Sequence, residues 1–144
     1  MFKTVLCPVD VNESGLEARA IATAVPMVKA NGGTLTLLAV VLDSPVMAAE
    51  YLPPDFRENQ VREAQDALTR LARETGLPAE QVQVRIRHGR PYHEILEEAR
   101  ATHVDLIVMA SHRPGLSTYL LGSNSTYVVR HAACSVMVIR DQAA

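Results

Sequence analysis

Apolar and polar positions along the chain repeat with two different periods. Residues 2–9 (FKTVLCPV) form a short β-rich run that Asp10 ends. Ser14 then offers a helix N-cap, and Leu16, Ala20, Ile21, Ala24, Val25 and Val28 recur at helical spacing. Pro26 falls inside this segment and predicts a kink, because proline has no N–H to donate. Asn31-Gly32-Gly33 predicts the helix end. Residues 34–41 (TLTLLAVV) are almost continuously apolar, the pattern of a strand buried on both faces of a parallel sheet. Asp43, Pro45, Pro53 and Pro54 make residues 42–54 a long loop. A second helix is expected over residues 55–75, carrying Val61, Ala64, Leu68, Leu71, Ala72 and Thr75 on one stripe. Gly76 and Pro78 end it.

The second half continues the alternation. QVQVRIR (residues 81–87) switches between apolar and polar at every step, which suits an edge strand. Pro91 fits the first turn of a helix running to Thr102, with Ile95, Leu96 and Ala99 inward. Glu94, Glu97 and Glu98 read as the solvated face of that helix. Residues 105–111 (DLIVMAS) predict another buried strand, residues 112–122 a loop, and Ser123 to Ala132 a helix. SVMVIR, residues 135–140, is the last strand. The order βαβαβαβαβ predicts a parallel three-layer α/β sandwich with right-handed crossovers, one domain over residues 1–144. In such sheets ligands lie beyond the carboxyl ends of the strands, where strand order reverses. That draws attention to Pro8-Val9-Asp10, Val40-Val41 and Met109-Ala110-Ser111.

Composition narrows the classes of function. The 144 residues are 48% hydrophobic and 21% charged, enough for a sizeable core and unlike a disordered chain. A net charge of −2 gives no global attraction to nucleic acid or anionic membrane. Four Tyr, two Phe and no Trp leave little from which to build a base-stacking surface. The apolar run 35–42 is far too short to span a bilayer. Pro8 and Asp10 interrupt the N-terminal apolar residues before they form a secretory signal, so a cytoplasmic location is expected. Cys7 and Cys134 read as buried thiols, not a disulfide. No CxxC or HxxxH pair suggests a metal site, and GxxxxGK[ST] and GxGxxG are absent. His88, His93, His103, His112 and His131 have no Ser or Cys partner at a recognised nucleophile spacing.

One segment points to a ligand. Residues 110–126 (ASHRPGLSTYLLGSNST) lead from a buried strand through a polar loop to Gly122-Ser123-Asn124-Ser125, which opens a helix. A glycine permits close backbone approach, and free N–H groups at a helix N-terminus favour an anion such as phosphate. Ser123 and Ser125 add hydroxyl donors, although plain N-capping would use the same residues. His112 lies at the mouth of this loop, and Arg113 can pair with phosphate oxygens or remain a solvated charge. Asp10 can accept from ribose hydroxyls or cap the following turn, and Val40 and Met109 can line an apolar cleft or simply fill the sheet core.

The run ASHRPGLSTYLLGSNSTYVVRHAACSVMVIR closely resembles the C-terminal part of the universal stress protein family. KTVLCPVDVNESGLEA resembles its first strand and helix, and HGRPYHEILEEARATHVDLIVMASH its third helix and fourth strand. The nucleotide-binding members carry G-x2-G-x9-G-[ST]. Here Ala110 takes the first glycine's place, Arg113-Pro114 stands where the second would be in a loop one residue shorter, and Gly122-Ser123 matches the last pair. The ASHRP…LLGSN form is similar to the branch with the F-type and G-type stress proteins and an ectoine-transporter regulator. The resemblance implies a five-stranded sheet in the order 3-2-1-4-5, ATP (or ADP or AMP, with Mg²⁺ at the phosphates) as ligand, and a stress-response role exercised through an unknown protein partner. By position, Pro8, Val9, Asp10 and Val40 would hold adenine and ribose, with Met109 and Ala110 lining base and sugar. Arg113, Gly122, Ser123, Asn124 and Ser125 would hold the phosphates. The family also implies a homodimer paired through residues 135–140. The alternatives are a dimeric stress protein without nucleotide, or a slow ATPase.

Overall fold

The computed structural model describes residues 1–11, 15–42, 51–111 and 123–140. The expected alternation is present: β1 (Thr4–Pro8), α1 (Gly15–Asn31), β2 (Thr34–Val41), α2 (Phe56–Glu74), a 3-10 turn (Ala79–Gln81), β3 (Val82–His88), α3 (Pro91–Ala101), β4 (Leu106–Ala110), α4 (Ser123–His131) and β5 (Ser135–Ile139). The five strands form one parallel sheet in the order β3-β2-β1-β4-β5. Helix α1 continues through Pro26, which removes one hydrogen bond without ending the helix. Ser14, its expected N-cap, and most of the loop at 42–54 lie outside the described residues.

Alternation along each strand sorts the core into two halves. Val5, Cys7, Leu35, Leu37, Leu106 and Val108 face α1 and α2, meeting Ala20, Ala24, Val28 and Leu68. Leu6, Leu38, Ile107 and Met109 face α3 and α4, meeting Ile95, Ala99 and Val128. All five residues of β4 are buried, which explains its unbroken apolar run. Full burial of a leucine such as Leu38 contributes roughly 2 kcal/mol, so the two halves jointly hold the sheet.

The seam at the bottom of the sheet depends on one small residue. Gly33 sits against the Lys3 carbonyl so closely that a β-carbon would collide with it, and Thr34 N–H donates to that same carbonyl at 2.7 Å. Asp105 ties the start of β1 to β4, accepting from Lys3 N–H at 2.9 Å and Thr4 N–H at 3.1 Å.

The glutamates of α3 depart from the expected solvated face. Glu98 is 4% exposed, and its Oε1 accepts from Arg87 Nε at 2.8 Å. Arg87 Nη1 also donates to Glu94 at 2.8 Å, and Arg85 Nε lies 3.5 Å from Glu98. Spacing explains the difference. Glu98 falls between Ile95 and Ala99 on the inward stripe, where only a buried ion pair makes a carboxylate tolerable. Glu97 keeps the expected outer position and pairs with Arg100. Among the described residues no helix is long and apolar enough to cross a membrane.

Candidate functional site

The sheet itself opens the site. β1 pairs with β2 over its whole length, from Thr4 to Pro8, but with β4 only at Val5 and Leu6. Beyond Leu6 the two central strands are no longer paired, and Pro8 has no N–H with which to extend a ladder. Val9 N–H turns instead to Leu38 carbonyl, at 2.7 Å. This gap lies where the chain reverses its direction of sheet growth, since β2 and β3 lie on one side of β1 and β4 and β5 on the other.

A cleft of about 360 Å³ occupies this position, within the range usual for small-molecule sites. It is lined by Pro8 at the end of β1 with Val9, Asp10 and Val11 after it, by residues 38–41 of β2 with Leu42 after them, and by Met109 and Ala110 of β4, with the exposed Asp10 at the mouth. Pro91 and Ile95 of α3 and Asn124 of α4 close one side. Glu17 of α1 and Gln60, Glu63 and Ala64 of α2 close the other. The cleft therefore has an apolar floor with backbone at three strand ends and a few polar side chains at its margins.

Of the residues singled out in the sequence, Pro8, Val9, Asp10, Val40, Met109, Ala110 and Asn124 come together on this one cleft. Ser123 is exposed at the start of α4. Ser125 is buried, and its hydroxyl donates to Ala110 carbonyl at 3.4 Å, so its proton serves to seat α4 on β4 rather than to meet a ligand. His112, Arg113 and Gly122 lie outside the described residues.

Glu17, Gln60 and Glu63 were not anticipated. Gln60 and Glu63 reach the cleft because α2 packs along β2 and β3, which local pattern does not specify. Glu17 did leave a signal. It sits three residues before Ala20 and four before Ile21, on the apolar stripe of α1, and it is 3% exposed. It stands near the buried Cys7 thiol. Burial first, and the Glu17 charge second, push that thiol far above its ordinary range, so Cys7 stays protonated and inert at neutral pH.

Comparison with known proteins gives the family and the fold. The sequence model of the Universal stress protein family matches residues 1–140. Universal stress protein G of Escherichia coli O157:H7 is 32% identical over 143 residues, covering 97% of this chain and 100% of that protein. Universal stress protein UspA from Lactobacillus plantarum has a TM-score of 0.80 at 29% identity, covering 96% of this chain and 98% of that one. A universal stress protein solved in complex with cAMP shares the fold, with a TM-score of 0.68 at 23% identity, covering 96% of this chain and 97% of that one.

Proposed function

The chain belongs to the universal stress protein family, and from that premise we propose that it binds an adenine nucleotide, ATP, in the cleft between β1 and β4. It acts in the cytoplasm as a regulatory module that passes its nucleotide state to a protein partner. The observation that carries this reading is the convergence of seven sequence-selected residues on one strand-end cleft of ligand size.

The residues fit the parts of the nucleotide. Val40 and Met109 supply apolar surface for the flat base, and the strand-end backbone supplies hydrogen-bonding groups for its edge. Asp10, at the mouth, supplies an acceptor for ribose hydroxyls. Asn124 stands in the first turn of α4, whose N-terminal end carries a partial positive charge. In this reading the phosphates extend over Gly122, Ser123 and Asn124, with Ser125 holding that helix in place. Arg113 and His112 approach from the loop, and Mg²⁺ accompanies the phosphates. That a relative of the same fold was solved with cAMP supports an adenine ligand for this architecture. A second copy pairs through residues 135–140, which contain β5, one edge of the sheet.

Titration calorimetry with ATP and Mg²⁺ tests the assignment. Wild-type protein is expected to bind, Asp10→Ala more weakly. Gly122→Val is expected to lose binding, because a side chain there blocks backbone approach. Arg113→Ala is expected to cost about 1.5 kcal/mol, the low end for a hydrogen bond to a charged group. Wild-type affinity in both Asp10→Ala and Gly122→Val would remove the assignment.

A further inference from the structure

The inward row of α2 changes character at the cleft. Leu68 and Ala64 are buried against the sheet. Gln60, one turn earlier on the same row, is half-buried and lines the cleft together with Ala64. The neighbouring amides are committed to their own helix: Asn59 Nδ2 donates to Asp55 at 3.2 Å, and Gln65 Nε2 to Thr69 at 3.4 Å. The Gln60 amide has no hydrogen-bond partner among the described residues. It also differs in kind from the other polar side chains on its wall. Glu17 and Glu63 are carboxyl groups, whereas Gln60 alone among the described residues there carries an N–H beside an acceptor oxygen.

We infer that Gln60 reads one edge of the base and makes the cleft selective for adenine. The inference rests on the nucleotide reading of the cleft and names the side chain that sets its base specificity. A base held between Val40 and Met109 turns one edge to the strand-end backbone and another to α2. The adenine edge formed by N7 and the N6 amino group offers an acceptor and a donor side by side. A glutamine amide matches it with two hydrogen bonds: Nε2–H donates to N7, and Oε1 accepts from N6–H. Guanine presents two acceptors on the same edge, N7 and O6, so one of the two contacts is lost. That mismatch leaves a desolvated polar group unpaired, which is how a partly buried site rejects the wrong base.

The test compares, by titration calorimetry with Mg²⁺, the affinities for ATP and for 7-deaza-ATP, in which a C–H replaces N7. Wild-type protein is expected to bind 7-deaza-ATP about fivefold more weakly than ATP, the scale of one net hydrogen bond. Gln60→Ala removes both hydrogen bonds and suits a helix. Gln60→Glu keeps the size and an acceptor but loses the N–H, and its added charge acts alike on both nucleotides. Both variants are expected to bind the two nucleotides with nearly equal affinity. A purely structural role for Gln60 would weaken both nucleotides together and keep the wild-type difference. A wild-type difference under about threefold, or a difference above that surviving in either variant, overturns the inference while nucleotide binding stands. If wild-type protein does not bind ATP, the nucleotide reading falls, and the role of Gln60 falls with it.

Discussion

A single arginine holds two acidic side chains at the edge of the sheet. Arg87 on β3 donates to Glu94 and Glu98 at 2.8 Å each, and Glu98 has almost no contact with water. These hydrogen bonds, Glu98 first, hold the guanidinium above its ordinary pKa. Removing the arginine strands a buried carboxylate with only the longer Arg85 contact. A fully buried case would cost roughly 3–5 kcal/mol, but Arg87 is partly in water, so about 2 kcal/mol is expected for Arg87→Ala. Urea unfolding measures this directly, and Arg100→Ala, which breaks only the exposed pair with Glu97, is the control expected to show no change. Equal midpoints for wild type and Arg87→Ala would show that the pair adds nothing. At this scale the sequence was only partly legible. Asp10, Val40 and Met109 could be picked out because they end apolar runs. Glu17 and Glu98 could not be picked out by type, since acidic residues on helices are normally solvated. Their position on an apolar stripe was the available sign.

The strands were the most legible elements. TLTLLAVV is buried along nearly its whole length, as its lack of alternation implies, and the alternating QVQVRIR forms the edge strand β3. The two edges differ in chemistry. β3 presents Gln83, Arg85 and Arg87, which guard an edge against pairing, whereas β5 reads Ser-Val-Met-Val-Ile. β5 is therefore the edge expected to pair with a second copy. Val138→Lys should shift the protein from dimer to monomer in sedimentation equilibrium at micromolar concentration. A monomeric wild type under those conditions would refute the pairing. Loop sequence says less. What α2 brings to the cleft through Gln60 and Glu63 depends on how it lies across β2 and β3, a tertiary property that helical period does not encode.

For the whole molecule, the fold and the site have one origin. Strand order 3-2-1-4-5 puts the reversal between β1 and β4, and the pairing between those strands stops after Leu6. A parallel sheet gathers all its strand ends on one side. Residues as distant in sequence as Asp10, Val40, Met109 and Asn124 therefore meet around one opening. The βαβ alternation alone implied such an opening, while the strand order came from family resemblance and not from periodicity. The most direct measurement is a crystal structure of the protein grown with ATP and Mg²⁺. The account predicts adenine density between Val40 and Met109, ribose beside Asp10, and phosphates leading toward residues 122–124. A cleft without nucleotide density at saturating ATP, or a nucleotide bound elsewhere on the surface, would contradict it.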